Sequence, residues 1–244
     1  MCRLLLTRSF DRSFSSIAPP TANNFSFGGC GFLVSYHLGV AQGLLDAGYI
    51  QANSKFAGAS GGAIVALSLA ANANISDIFD EVKGITRLCH NHGTVWKLEK
   101  RLQKMWPWRA LVLTDDFHST DDLCDALIAS CYVPWYLSRR GMSVFRGEYH
   151  VDGGLITLVP KVPGYTKVCA FPGHIIRRTD YEISPSIDPD FPFTIMQLAR
   201  FALFPPRIEV LDQLFESGKR SARIWVEKSA AQTGENDTTR STRS

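Results

Sequence analysis

Short apolar runs alternate with amphipathic runs along the first third of the chain. Residues 25–27 have the pattern of a short strand, and residues 32–47 carry apolar side chains at the three- and four-residue spacing of a helix. Residues 54–57 form a second apolar run, and an alanine-rich helical run follows it over residues 60–73. Strand, helix, strand and helix in close succession predict an α/β fold that begins with parallel strands.

The rest of the chain continues this alternation. Its pattern predicts helices over residues 75–91, 119–130, 194–204 and 208–227, and strands over residues 142–145, 148–151 and 166–171. The first two of these strands are joined around Arg146-Gly147 as a hairpin. The sequence contains no run of about 18 uninterrupted apolar residues, so the pattern predicts no membrane-spanning helix.

The composition predicts one domain with different segments at its two ends. Residues 25–229 contain no linker rich in Pro, Gly or Ser, and we predict a single domain there. Residues 1–24 are rich in Arg and Ser and contain one acid, Asp11, which is typical both of an organelle transit peptide and of a disordered N-terminus. Both interpretations stay open. Residues 230–244 are polar, and we predict a disordered tail.

Charge and cysteine content bear on the class of function. The net charge of +3 on 244 residues is too small to indicate nucleic-acid binding, and we expect no nucleic-acid partner. The six cysteines are scattered without a C-x-x-C pair, which is typical of reduced, packed thiols. The local cluster at residues 89–92 lacks a second pair at the spacing of zinc sites. We therefore predict no metal and no cofactor.

The candidate chemistry begins with a serine between glycines. The second apolar run ends at Gly58, Ser60 follows it, and Gly62 stands at the start of the helical run. G-x-S-x-G is the nucleophile elbow, a turn so tight that flanking side chains must be absent. The helix N-terminus there favours the negative charge that an attacked ester develops on its oxygen. The alternative is a Gly/Ser loop that matches by chance, and the context decides between the two.

Two further glycine-containing segments complete the candidate site. Residues 28–31 end the first predicted strand, and their backbone N–H groups can converge on an oxyanion. A phosphate-binding turn is the alternative, but neither G-x-G-x-x-G followed by an acid nor a Walker sequence is present. Asp152 follows the predicted hairpin and precedes Gly153 and Gly154, so its carboxylate is open to approach. Taken alone, Asp152 also fits an ordinary Asp-Gly turn.

With these motifs in this order, the chain resembles the patatin-like phospholipase domain family. The resemblance is to the animal-type branch that includes adipose triglyceride lipase and adiponutrin. The matching segments are SFGGCGFL at residues 26–33, YHLGV at 36–40, GASGGA at 58–63, VP at 133–134, VDGG at 151–154 and ALFPP at 202–206. They cover nearly the whole domain predicted from the pattern.

The resemblance implies a three-layer α/β/α fold with a mostly parallel central sheet and a serine–aspartate dyad. Ser60 would attack an acyl carbonyl and Asp152 would take its proton, which requires dry surroundings because a carboxylate is otherwise a weak base. The implied supporting groups are the oxyanion donors Gly29, Cys30 and Gly31 and the motif glycines Gly58, Gly62, Gly153 and Gly154. The implied substrate is a glycerolipid ester, triacylglycerol or phospholipid, cleaved through an acyl-serine intermediate.

Two departures from the family pattern leave other functions open. Val34 stands where many relatives have a glycine, and Leu158 replaces a common asparagine behind the Asp152 loop. A catalytically weak or inactive lipid-binding module is therefore an alternative. An acyltransferase that uses the same dyad is another, since it differs only in the hydroxyl that accepts the acyl group.

A triad that includes a histidine is also open at this point. The chain order Ser60, Asp152, His174 is the order found in α/β-hydrolases. His150 lies two residues before Asp152 on the same strand face, and His37 is predicted to be structural.

Residues 94–109 suggest where a lipid surface could make contact. They interleave tryptophans with basic residues around a single acid, which suits a helix lying on an anionic lipid surface. The alternative is a solvated amphipathic helix over the core. From the resemblance we expect an intracellular protein peripheral to a membrane or lipid droplet, with the transit-peptide interpretation still open.

Overall fold

The computed structural model describes residues 23–95, 118–156, 158–173 and 181–241. In these ranges the strands are β1 (Asn24–Phe27), β2 (Phe56–Gly58), β3 (Ser143–Phe145), β4 (Glu148–His150) and β5 (Tyr165–Val168). The helices are α1 (Val34–Asp46), α2 (Gly61–Ala70), α3 (Ile75–His92), α4 (Thr120–Ser130), α5 (Gly153–Ile156), α6 (Ile195–Leu203) and α7 (Ile208–Ser241). Two 3-10 turns lie at Gly31–Leu33 and Pro185–Ile187.

The central sheet is parallel, with the strand order β2-β1-β5. Phe25 on β1 is paired with Phe56 on one side and with Thr166 on the other. Phe25 and Phe27 on one face and Ser26 on the other are all fully buried, as expected for a parallel strand that is covered on both faces. The parallel sheet and the helices around it confirm the predicted α/β/α class.

The predicted hairpin is confirmed as an antiparallel pair, β3 with β4. Its turn residues Arg146 and Gly147 have φ values of 48° and 81°. Two successive positive φ values are the geometry of the tight hairpin turn that matches strand twist. The pair is separate from the central sheet, and β4 leads directly to Asp152.

Helices α1 and α7 approach each other closely enough for their backbones to touch. A Cβ atom on Gly39 would lie 1.9 Å from the backbone oxygen of Phe215, and one on Gly218 would lie 2.1 Å from that of Tyr36. Only glycine fits at either position. Helix α7 also packs Trp225 edge-on against Phe25 of the sheet, with ring centroids 6.1 Å apart.

Two elements differ from their sequence predictions. Helix α5 starts on Gly153-Gly154, which the propensity scale disfavours, and no helix was expected there. Helix α7 continues to Ser241, whereas polar composition predicted a disordered tail from residue 230. Residues 230–232 are two alanines and a glutamine, strong helix formers that extend an already nucleated helix, whereas residues 233–241 include Gly, Thr, Asn and Asp, which the propensity scale disfavours.

Several predicted features lie outside the described residues. They are residues 1–22 of the N-terminal segment, residues 96–109 of the Trp-rich basic stretch, and His174. Among the helices that the structure describes, none combines the length and apolar character needed to cross a bilayer.

Candidate active site

Ser60 lies on a sharp turn between β2 and α2. Its backbone angles are φ 53° and ψ −128°, a region that costs a non-glycine residue about 1–3 kcal/mol. A Cβ on Gly58 would lie 2.3 Å from the oxygen of Gly62, and one on Gly62 would lie 2.4 Å from that of Phe27. The two outer glycines of the motif are therefore required because backbone meets backbone on both sides of the serine.

The Ser60 hydroxyl points at a carboxylate. Ser60 occupies the N-cap position of α2, where a serine commonly accepts a hydrogen bond from the helix N-terminus. Here Ser60 Oγ instead donates to Oδ2 of Asp152 at 2.7 Å. The two side chains are 92 residues apart in the chain and both are buried.

Asp152 is held in place by hydrogen bonds at both its backbone and its side chain. Its N–H donates to the carbonyl of Tyr132 at 2.8 Å, and its Oδ1 accepts the N–H of Gly154 at 2.6 Å. These bonds leave Oδ2 directed at Ser60. The second glycine after Asp152 thus supplies a backbone donor that orients the carboxylate.

The loop that follows Asp152 packs directly on the first glycine loop. A Cβ on Gly154 would lie 2.9 Å from Asp152 Oδ1 and 3.2 Å from the Cα of Gly29. One on Gly29 would lie 2.8 Å from the Cα of Gly154. Gly153 is different, since its Cβ would make only ordinary contacts of 3.6 Å or more, to Ala59 and Ser130. Of the pair Gly153-Gly154, only the second is sterically required.

The three predicted oxyanion donors do not have the same surroundings. The N–H of Gly29 donates to the carbonyl of Leu158 at 2.6 Å, so it is already engaged. Within the described ranges, the N–H groups of Cys30 and Gly31 have no protein acceptor, and both residues line the same cavity as Ser60. Of the three predicted donors, Cys30 and Gly31 therefore have N–H groups that are free to face the cavity, and the oxyanion role of all three stays a prediction.

Two residues of the site were missed in the sequence. Gly61, the first residue of α2, also lines the cavity, and the described residues provide no acceptor for its N–H. The motif itself could have indicated it, because the residue after the nucleophile commonly donates to the oxyanion. Ser130, at the end of α4, accepts the backbone N–H of Ser60 at 3.1 Å. Ser130 belongs to none of the motifs in the sequence, so nothing in the sequence indicated this contact.

Ser60 and Asp152 line an apolar cavity of about 220 Å³. Its walls come from the starts of α1 and α2, from α3, and from the segment after α4, and include Phe32, Ile64, Val82, Ile85 and Leu137. Val34 and Leu158, the two departures from the family pattern, also line it. The cavity therefore fits an apolar chain, and Ser60 and Asp152 are among the few polar side chains that line it.

Two thiols share this cavity, and both are neutral at pH 7. Burial, assisted by the negative charge of Asp152, raises the pKa of Cys131 to about 12. Burial also raises the pKa of the Cys30 thiol well above its ordinary value. Since the thiolate is the reactive form, neither cysteine competes with Ser60 as a nucleophile.

The histidines differ in how close they come to the serine. His37 is buried against Phe27, with ring centroids 5.7 Å apart, and burial lowers its pKa to about 3. His150 packs edge-on against Phe145 of the hairpin. Within the described part of the chain, the hydrogen-bond acceptor of Ser60 Oγ is Asp152 and no histidine. The predicted alternative of a triad with His174 stays a prediction, because His174 lies outside the described residues.

Comparison with known proteins shows which family this chain is similar to. Residues 25–111 match the family model of patatin-like phospholipases. This range contains the first glycine loop and Ser60, and Asp152 lies beyond it. The comparisons confirm the resemblance predicted from the motifs: the chain is similar to the patatin-like phospholipases.

Individual relatives cover most of the chain at low identity. The 1-acylglycerol-3-phosphate O-acyltransferase Pnpla3 of Mus musculus is 26% identical over 248 residues, which cover 84% of this chain and 59% of that protein. Patatin-like phospholipase domain-containing protein 4 of Homo sapiens is 27% identical over 241 residues, which cover 80% of this chain and 92% of that protein. The omega-hydroxyceramide transacylase of Homo sapiens is 24% identical over 258 residues, which cover 86% of this chain and 47% of that protein. The chain thus spans about half the length of several relatives that it matches.

Proposed function

We propose that this protein is a lipid acyl hydrolase that cleaves carboxylic esters of glycerolipids, triacylglycerol or phospholipid, with a Ser60–Asp152 dyad. The observation that carries the proposal is the 2.7 Å hydrogen bond from Ser60 Oγ to Asp152 Oδ2 beside an apolar cavity. A serine hydroxyl needs a base within hydrogen-bond reach to act as a nucleophile, and Asp152 is within that reach.

In the first step, Ser60 Oγ attacks the ester carbonyl while its proton passes to Asp152 Oδ2. The carbonyl π electrons move to the oxygen, which becomes an oxyanion. The unengaged N–H groups of Cys30, Gly31 and Gly61 are the proposed donors to it, and one such donor contributes roughly a hundred- to thousandfold in rate. Collapse of this intermediate breaks the bond to the leaving alcohol, which takes the proton from Asp152.

In the second step, water attacks the acyl group on Ser60 and gives a proton to Asp152. Collapse releases the fatty acid and returns the proton to Ser60 Oγ. The Gly154 N–H on Asp152 Oδ1 keeps the same oxygen, Oδ2, directed at the serine in both steps. The dyad therefore serves acylation and deacylation without any rearrangement of the protein.

Acyl transfer is the second candidate function. It is favoured by two relatives whose names state it, the O-acyltransferase Pnpla3 and the omega-hydroxyceramide transacylase. The acyl-serine intermediate would be the same, and an alcohol would replace water as the second nucleophile.

The test compares the purified full chain with its Ser60→Ala and Asp152→Asn variants on emulsified triacylglycerol and on phospholipid vesicles. We expect Ser60-dependent release of fatty acid, and a fall of about a thousandfold or more in each variant. A fluorophosphonate probe should label the wild type and not Ser60→Ala. Release of acyl product only when an acceptor alcohol is added would select acyl transfer. Lipid binding without hydrolysis, transfer or labelling would select the inactive lipid-binding module.

A further inference from the structure

Helix α6 has one face on the oxyanion turn and one face in solvent. On the inner face Leu198 is fully buried, and a Cβ on Gly31 would lie 1.9 Å from the backbone oxygen of Ala202. On the outer face Met196 is 77% exposed and Leu203 is 46% exposed. Arg200 lies between them on the same face, since residues 196, 200 and 203 are spaced by one helical turn each.

The exposed apolar surface continues past the end of the helix. Phe204, the next residue, is 51% exposed. We call Met196, Arg200, Leu203 and Phe204 the α6 face. An exposed methionine, leucine and phenylalanine so close together are unusual on a monomer surface and indicate an interaction site.

The charged side chains within residues 191–208, which contain the α6 face, have one sign, and the exposed acids Asp190 and Glu209 flank this segment. Residues 191–208 contain no aspartate or glutamate, and their only charged side chains are Arg200 and Arg207, both exposed. Exposed apolar side chains accompanied by Arg200 and Arg207 match the boundary of an anionic lipid layer, where apolar groups enter the acyl region and cations meet the headgroups.

The α6 face is continuous with the cavity that contains the dyad. Leu203 is exposed and also lines this cavity, which therefore reaches the surface beside the α6 face. The Tyr136 hydroxyl donates to the Leu203 carbonyl, and His90 Nε2 lies 3.0 Å from the oxygen of Pro205. The C-terminal end of α6 is thus fixed at the cavity mouth from two other segments.

We propose that the α6 face docks on an anionic lipid layer and brings the cavity mouth against it. The choice of a lipid as the occupant rests on the proposed function. A second copy of the chain fits less well, because it would cover the mouth through which the substrate must enter. The α6 face contains none of residues 94–109, for which the sequence analysis predicted lipid contact and most of which lie outside the described residues.

The test measures sedimentation of the full chain with phosphatidylcholine vesicles, with and without phosphatidylserine. All proteins carry Ser60→Ala, so that the vesicles stay intact. We expect Met196→Glu to weaken binding at least about tenfold, because a charge replaces the most exposed apolar group. Arg200→Gln should weaken binding about fivefold on phosphatidylserine vesicles and leave it unchanged on phosphatidylcholine alone. Added salt should reduce this difference.

The matched control is Tyr149→Glu, on the hairpin, since Tyr149 is 75% exposed and does not belong to the α6 face. We expect it to bind like its parent. Met196→Glu should fold normally, because an acid in the first turn of a helix is favourable, and thermal unfolding checks this. In the Ser60 form, Met196→Glu should hydrolyse a soluble short-chain ester at the wild-type rate.

Three results would overturn the proposal. They are no binding of the parent to either vesicle, binding of Met196→Glu equal to that of its parent, and an equal loss in Tyr149→Glu. If the chain does not bind vesicles but forms a dimer, and Met196→Glu abolishes that dimer, the α6 face is the contact surface for a second copy instead. If the soluble ester is not cleaved while the vesicle results follow the expected pattern, the proposed function fails and the docking surface stands.

Discussion

Ser60 and Asp152 reach the same cavity from regions that are built differently. The serine belongs to the β1–α1–β2–α2 region, where strands are buried in a parallel sheet and glycines are required by backbone contacts below 2.5 Å. The aspartate follows the β3–β4 hairpin, whose side chains Val144 and Tyr149 are 59% and 75% exposed. One region is fixed by steric exclusion, and the other by individual hydrogen bonds.

This difference shows where each region is sensitive to change. In the serine region, an added methyl group has no space to enter, so stability should suffer. In the aspartate region, the chain has room except at Gly154, so activity should suffer before stability does. The glycines therefore provide matched pairs of variants.

The largest effect is expected in the serine region. Gly58→Ala places a Cβ 2.3 Å from the oxygen of Gly62, and we expect a loss of more than about 4 kcal/mol in the free energy of unfolding. The control is Gly84→Ala within α3, where nothing lies within 4 Å and a gain of about 0.5–1 kcal/mol is expected. Urea unfolding measures both, and similar values for the two variants would show that the elbow is not sterically fixed.

In the aspartate region, Gly154→Ala should act on catalysis. Its Cβ would lie 2.9 Å from Asp152 Oδ1, and displacement of that carboxylate by about 1 Å should lower kcat/KM roughly a hundredfold. Gly153→Ala makes only ordinary contacts and should stay within about threefold of wild type. The measurement is hydrolysis of a soluble ester, and equal activities in the two variants would contradict the assigned role of Gly154.

Burial of His37 in the serine region gives a dependence of stability on pH. Its pKa is lowered from 6.5 to about 3 by burial, so the unfolded chain binds a proton that the folded chain does not. Stability therefore falls as the pH drops below about 6.5, and by pH 5 this histidine accounts for about 2 kcal/mol. His37→Phe should lack this part of the loss. Urea unfolding at pH 7 and pH 5 tests it, and identical losses in both proteins would refute it.

The smallest effect concerns Ser130, which links the two regions. Its hydroxyl accepts the Ser60 N–H at 3.1 Å, and loss of this bond in Ser130→Ala should cost about 1 kcal/mol, or roughly fivefold in kcat. Ser130→Thr keeps the hydroxyl and should retain most of the rate. KM should not change in either variant. If Ser130→Thr and Ser130→Ala lower kcat equally, loss of the hydrogen bond to the Ser60 N–H is not the cause of the lower kcat.

The sequence predicts the serine region better than the aspartate region, for a physical reason. Where backbones approach closely only glycine fits, and these glycines are visible in the sequence. Gly58, Ser60 and Gly62 could therefore be recognised together with the strand and helix on either side. A hydrogen bond to a backbone group requires no particular residue type, so the sequence does not reveal it. The engagement of the Gly29 N–H by Leu158 and the role of Ser130 therefore emerge only from the structure.

The same reasoning explains what the fold prediction missed. Periodicity located α1, α3 and α4, because each has an apolar face to bury, whereas the hairpin was predicted from two strand-like runs joined at Arg146-Gly147. Helix α5 begins with two glycines and has only four residues, too few to show a period. Polarity alone predicted disorder beyond residue 230, although polar residues with good helix propensity can extend an existing helix.

The most direct test of the central claim is to locate the acyl group during turnover. The chain is mixed with a soluble short-chain ester, quenched in acid and digested, and the acylated peptide is identified by mass spectrometry. We predict an acyl group on Ser60, accumulation that falls about a thousandfold in Asp152→Asn, and none in Ser60→Ala. An acyl group on Cys30 or Cys131, or undiminished acylation of Ser60 in Asp152→Asn, would contradict the account.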